Sequence, residues 1–414
     1  MALAIRGGQP VVPVDLRSFS HPQLTSGLLE AISKQTREQI SIYDNGGVYA
    51  VLEDCFRSLT GCERALSVNS GTSALLSAFY GLRIGPGDEV IVPAYTFFAT
   101  ATPLLALGAT PILADCDETG DLDPQEVRKF LTDRTRAVVV THMWGIPANM
   151  SGIIEAANGT PVVEDASHAH GATVGGVVVG GIGTVGAWSL QGKKIITAGE
   201  GGMLATSNQE VFERAVVLGH FNRRARIEVS DQRLAPYAPT GLGMNLRMHP
   251  LGAAMAVAQL AHLPQQLAER RESARWLTQA LTDVPGLRPV HIPDDCCPAW
   301  YAYPILVEPG AFPGVSRERL VAAMQAEGAA EVDIPESTRP LSDYPAFSRP
   351  ISVTGEAMPS PTWSGSPRMA FPRAYDYYDR VFKLPTWYGP RRLEYADAYA
   401  YAILKVIEEW RSLI

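Results

Sequence analysis

Between residues 60 and 210 the chain repeats one pattern: a short apolar run, a turn, a helical stretch and another apolar run. Residues 72–82 place Ala74, Leu75, Ala78, Phe79 and Leu82 on one helical face. Residues 88–93, 110–115, 137–142 and 161–165 read as strands, the first ending at Pro93. Asp123-Pro124-Gln125-Glu126 supplies an N-cap, a proline at the first helical position and an acid two residues on, so a helix starts there. Residues 149–158 are helical between the last two strands. Such alternation implies an α/β fold whose mainly parallel sheet is covered by helices. Ligands of these sheets sit beyond the carboxyl ends of the strands, where Thr96, His142 and Asp165 would fall.

From about residue 270 the character changes. Residues 270–284 form an amphipathic helix, 300–307 a strand and 317–327 a second helix. We expect a large domain over 1–265, with an N-terminal segment free to pack on its neighbour, and a smaller α+β domain over 266–414. Residues 335–373 are dense in Pro, Ser and Gly without a period, which predicts one long loop.

Composition removes several function classes. Apolar residues at 46% and charged residues at 19% fit a globular chain rather than a disordered one. Lys+Arg 35 against Asp+Glu 43 leaves a net charge of -8, which disfavours a nucleic-acid surface. The five cysteines are odd in number and include no C-x-x-C, so neither a disulfide framework nor a zinc site is expected, and a reducing cytoplasm is. The first eight residues lack a basic region followed by an apolar one, so no signal peptide is expected. The most apolar stretch, 99–114, is broken by Pro103, Gly108 and Pro111, so no membrane partner is expected. No metal is expected either.

Gly181-Ile-Gly183-Thr-Val-Gly186 matches a dinucleotide-binding pattern, yet it precedes a strand, Ala187-Trp188-Ser189-Leu190, where that pattern must open a helix. Turn glycines are the better reading. G-x-S-x-G, H-E-x-x-H and the P-loop are all missing from the sequence. Four other blocks carry more chemistry. Asn69-Ser70-Gly71-Thr72-Ser73 opens a helix, as a phosphate site or a plain N-cap. Pro93-Ala94-Tyr95-Thr96-Phe97-Phe98 puts aromatic rings at a strand end, for a flat cofactor or for the core. Glu164-Asp165-Ala166-Ser167-His168 sets a carboxylate in an apolar surrounding, where it needs a cationic partner. Ser189-Leu190-Gln191-Gly192-Lys193-Lys194, before the glycine run 199–202, offers a lysine that burial would make nucleophilic.

In order and spacing these blocks, over residues 47–263, resemble the DegT/DnrJ/StrS family of pyridoxal-phosphate aminotransferases, sugar and cyclitol enzymes of fold type I. The segments 85–93, 142–148 and 243–248 share the likeness. The glycine run before Ser189 also matches a family feature. The resemblance implies a pyridoxal 5'-phosphate cofactor bonded covalently to Lys194, five residues after Ser189 and five before Gly199. Lys193 stands beside it and departs from the usual pattern. It further implies that Asp165 pairs with the pyridinium nitrogen and keeps the ring an electron acceptor. His168 would lie near the phenolic oxygen and Phe97 would stack on the ring. Gly71, Thr72, Ser73 and Ser189 would hold the phosphate. Asn245 would reach the phosphate of a neighbouring subunit, since family sites form at a homodimer interface.

The expected activity is transfer of an amino group from glutamate or glutamine to a keto-cyclitol or keto-sugar in secondary metabolism, with Lys194 moving the proton. The blocks 165–171, 189–193 and 197–202 resemble the cyclitol branch. A Pro-x-His segment frequent in the family is replaced by Arg339-Pro340-Leu341-Ser342. The alternatives are a dehydratase-like relative, whose lysine would be histidine, and a cofactor-binding regulator. His220–Arg226 holds a basic cluster, either an anion site or a solvated run.

Overall fold

The computed structural model describes residues 2–353, 355–358, 363 and 365–414. Its largest sheet has seven strands in the order Arg64–Val68, Gly202–Thr206, Val185–Ser189, Val162–Asp165, Thr135–Thr141, Glu89–Pro93 and Thr110–Ala114. Gly202–Thr206 runs antiparallel to both its neighbours, and the other pairings are parallel. Alternate residues of these strands feed separate cores, as period-two side chains must. Val90, Val92, Val139 and Val163 pack with helices Gly71–Gly81 and Gln209–Gly219. Ile91, Val138 and Val140 pack with helices Pro124–Phe130 and Met150–Ala157. The caps are those the sequence implies: Asp123 accepts from the Gln125 N–H at 2.7 Å and Ser70 from the Ser73 N–H at 3.0 Å.

A second, antiparallel sheet joins Leu287–Pro289, Tyr303–Val307 and Val381–Leu384. The helix Leu263–Leu281 links the two sheets without a break across residue 265. Leu263 and Leu267 pack near Ile195 and Ile196, whereas Leu277 and Leu281 join the core that holds Ile305 and Phe382. The N-terminal segment lies on the smaller unit: Ala4 N–H donates to Glu327 at 2.7 Å, Phe19 N–H to Glu331 at 3.0 Å, and Arg391 pairs with Asp15 at 2.8 Å.

Two expectations are corrected here. Residues 335–373 are not one loop. Strand Thr338–Pro340 pairs with Tyr95–Phe97, and helices Pro345–Ser348 and Pro367–Ala370 follow. Residues 354, 359–362 and 364 of that stretch lie outside the described residues. A three-residue strand that borrows a distant partner leaves no local period to read. The basic cluster is not simply a solvated run either. Arg224 is buried and grips both oxygens of buried Glu53 at 2.8 Å, with Glu228 at 3.0 Å.

The same Glu53 accepts from Ser67 N–H and Oγ at 2.8 and 2.9 Å, so the pair anchors the strand that delivers the Ser70–Thr72 turn. Arg224→Ala leaves that carboxylate buried and unpaired. It should lower stability by about 3–5 kcal/mol, read as a lower midpoint in urea unfolding, and an unchanged midpoint refutes the anchoring role.

Candidate active site

The carboxyl ends of the central strands open into a cavity of about 570 Å³, within the range of roughly 300–1,000 Å³ usual for small-molecule sites. Of the expected site residues, Gly71, Thr72, Phe97, Asp165, His168, Ser189 and Lys194 line it, together with Thr96. Ser73 stays in the first helical turn, its Oγ donating to Asn69 Oδ1 at 2.6 Å. Asn245 lies exposed outside the cavity, its Oδ1 accepting from Arg247 N–H at 3.3 Å. His142 does not face the cavity. It is fully buried, takes the Ala148 N–H on Nδ1 at 3.1 Å and donates from Nε2 to Glu164 at 3.0 Å.

Asp165 ends its strand and is fixed by donors. Thr100 Oγ1 reaches Oδ2 at 2.7 Å and Ser167 N–H reaches Oδ1 at 3.2 Å. Thr96 holds Thr100 at 2.9 Å and Thr141 at 3.1 Å, a hydroxyl chain behind the carboxylate. Such donors fix the orientation of the carboxylate on the cavity wall.

At another wall the helix Gly71–Gly81 points its N-terminus at Ser189. The first N–H groups of a helix have no intrahelical acceptor and attract an anion. A Cβ on Gly71 would lie 2.7 Å from Ser189 Cβ, so only glycine lets the turn come this close. Ser189 is held in turn by Ser167 Oγ, which accepts its N–H at 3.1 Å.

Lys194 and Lys193 part company in the fold. Lys193 is exposed, and its backbone N–H is taken by Gln191 Oε1 at 2.9 Å. The Lys194 amine lies 4.8 Å from the centroid of the Tyr301 ring. Burial pulls it down to about 8; the charge of Asp165 partly opposes this and that of Lys383 adds to it. Tyr301 stacks on His168 at 4.1 Å and 7°, and His168 on Trp144 at 5.7 Å and 17°. Burial, followed by Lys194 and Lys383, keeps His168 neutral. Its buried Nδ1 has no hydrogen-bond partner among the described residues.

These features fit pyridoxal 5'-phosphate: an anion cradle at Gly71, Thr72 and Ser189, a carboxylate for a ring nitrogen, a neutral imidazole on the cavity wall for a ring oxygen, and an amine of lowered basicity. The sequence model of the DegT/DnrJ/EryC1/StrS aminotransferase family matches residues 29–389. The chain belongs to that family. It is 34% identical to the L-glutamine:scyllo-inosose aminotransferase of Streptomyces griseus over 72% of this chain and 70% of that protein. It is 33% identical to the dTDP-3-amino-3,4,6-trideoxy-alpha-D-glucose transaminase of Streptomyces venezuelae over 79% and 78%. Among solved structures, 3-amino-5-hydroxybenzoic acid synthase superposes with a TM-score of 0.81 at 27% identity, over 97% of this chain and all of that one. The fold is therefore that of the fold type I family enzymes. No helix among the described residues is long and apolar enough to cross a membrane.

Sequence reasoning missed Thr100, Trp144, Tyr301, Asp333 and Lys383. Asp333 and Lys383 pair at 2.7 Å on the wall supplied by the smaller unit. Tyr301 arrives because Trp144-Gly145 turns sharply, with φ of 58° and 85°. Gly145 O then accepts from Ala299 N–H at 2.8 Å. That contact also explains why the expected strand over 300–307 begins only at Tyr303.

A lysine lowered to about 8 is half neutral near that pH rather than at its ordinary 10.5. The rate at which cofactor-free protein captures pyridoxal phosphate should therefore rise with pH to a midpoint near 8. Asp165→Asn, which removes the charge that favours the ammonium, should move that midpoint down. A midpoint near 10 in stopped-flow absorbance would show that Lys194 is solvated instead.

Proposed function

We propose that this protein is a pyridoxal-phosphate aminotransferase that moves an amino group from glutamine or glutamate to a keto-cyclitol or keto-sugar. The observation that carries this reading is the Lys194 amine, lowered to about 8 by burial in a cavity it shares with Asp165 and the Gly71–Thr72 turn.

The cofactor, when bound, supplies a sink for the electron pair left on a substrate carbon that loses its proton. The chain's residues do the rest. Asp165, its two oxygens fixed by Thr100 and Ser167, would face the ring cation. Gly71, Thr72 and Ser189 would hold the phosphate. The Lys194 amine would serve as the base that takes the proton from the donor's Cα and, once protonated, as the acid that gives it back. An amine of pKa about 8 can both accept and give at neutral pH. Neutral His168, braced between Trp144 and Tyr301, offers a hydrogen bond to the ring oxygen without adding a charge.

The acceptor's wall carries Gln191, Lys193, Glu200, Asp333, Glu336 and Lys383. Interleaved donors and acceptors of this kind suit the hydroxyl-rich ring of a cyclitol or sugar. The relatives' own substrates, scyllo-inosose in one case and a dTDP-linked sugar in the other, support the same class. We further propose a homodimer in which exposed Asn245 serves the neighbour's cofactor, and a small unit over 266–414 that closes on a large unit over 1–265.

Protein loaded with pyridoxal phosphate should show a near-visible band that moves to shorter wavelength when glutamine or glutamate is added, with release of the 2-oxo acid. Lys194→Ala should lower turnover by at least about 100-fold and remove that band, while Lys193→Ala keeps the band. The opposite ranking would move the role to Lys193, and a band indifferent to every amino donor would refute amino transfer.

A further inference from the structure

We infer that His21 is a positioning residue for Lys194, so that the N-terminal segment is part of the active site. The inference rests on Lys194 as the residue that bears the cofactor. His21 lies before residue 29, where the match to the family model begins.

His21 Nε2 stands 2.7 Å from the carbonyl oxygen of Lys194. A carbonyl only accepts, so Nε2 carries the hydrogen. The other ring nitrogen, Nδ1, lies 3.0 Å from the Tyr388 hydroxyl and accepts from it. That hydroxyl accepts the Gln23 N–H at 3.1 Å, which directs its own hydrogen toward His21. The relay thus fixes one tautomer from end to end. The two rings meet edge to face at 5.8 Å, and the Arg270 guanidinium sits 5.0 Å from the Tyr388 ring centroid. Burial, then the Arg270 charge, brings His21 down to about 4, so it stays a neutral donor throughout the working range.

On its other side Lys194 donates its own N–H to Gln191 O at 2.8 Å. The two peptide units that flank Lys194 are therefore tied in opposite directions, one to its own loop and one to a segment more than 170 residues earlier. With its Cα held, the four-carbon stem can reach the Tyr301 ring and the Asp165 side of the cavity along one path. A flexible stem on a free loop would spread its amine over several ångströms. A misplacement of about 1 Å at a reacting group can cost on the order of 100-fold in rate. His21 does not line the cavity, so its effect runs through Lys194.

The test uses full-length protein loaded with pyridoxal phosphate. His21→Phe keeps a ring but loses the donor; His21→Gln places an amide N–H near the Nε2 position. We expect His21→Phe to lower kcat about 10- to 100-fold with KM for glutamine unchanged, and to shift the pH midpoint of the near-visible band. Its cofactor-free form should still melt cooperatively. His21→Gln should recover most of the rate and the wild-type midpoint. Tyr388→Phe, which frees the tautomer, should shift the midpoint in the same direction by less, and it serves as the test should His21→Phe fail to fold. Wild-type kcat and midpoint in His21→Phe, or in Tyr388→Phe where that is the test, or equal impairment of the Phe and Gln variants at 21, overturns the inference alone. A wild-type protein that shows no near-visible band overturns the reading of Lys194 and this inference with it.

Discussion

The site depends on the lowered basicity of one amine. Lys194 has its charge penalised by burial and only partly restored by Asp165, and this balance sets it near 8 rather than 10.5. Every neighbour serves that balance. Lys383, which would depress the amine further, is itself tied to Asp333. Asp165, which raises it, has its oxygens fixed by Thr100 and Ser167 rather than left free to swing toward the lysine. A carboxylate that moved onto the amine would hold it protonated and inert as a nucleophile.

That arrangement is assembled from both halves of the chain. Trp144 and Gly145, in the left-handed region, present their carbonyls to Ala302 and Ala299, which lays Tyr301 over His168. A Cβ at Gly145 would meet the backbone of His168, Trp300 and Tyr301 at 2.7–2.9 Å. The sharp turn is thus what allows the smaller unit to close one side of the site. The strand Thr338–Pro340 closes another by pairing with Tyr95–Phe97, so that Thr338 joins Thr96 and Phe97 in lining the cavity.

The parts legible in the sequence were those encoded locally. Five of the seven central strands and the caps at Ser70 and Asp123 follow from period, length and side-chain chemistry over a few residues; Arg64–Val68 and Gly202–Thr206 were not read as strands. Lys194, Asp165 and Ser189 carried their own block patterns. Tyr301, Lys383 and Asp333 did not, because each enters the cavity through a contact made with a remote segment. The loop expected over 335–373 failed for the same reason: Thr338–Pro340 has no strand signature apart from the edge it joins. The cluster at 220–226 read as either an anion site or a solvated run, and only the partner Glu53, far back in the chain, shows that Arg224 is buried while Arg223 and Arg226 are exposed.

His142, Glu164 and Asp165 show how fine that limit is. Glu164 and Asp165 are consecutive on one strand, so the pleat sends their side chains to opposite faces. Glu164 turns into the protein, where it accepts from Gly180 and Ile182 N–H at 2.6 and 2.8 Å, from Gly183 N–H, and from His142. The glycine pattern that imitates a dinucleotide site is therefore a backbone nest for the protein's own carboxylate. Its glycines are required because Cβ atoms at 181, 183 and 186 would strike neighbouring backbone. A buried carboxylate needs that many donors, and the loop that supplies them is the one that leads into the strand ending at Ser189. The internal anion thus sets the path of the chain toward Ser189, and the outward one is left to face the cavity. A shift of one residue in this strand's register would exchange their places and leave the site without its acid.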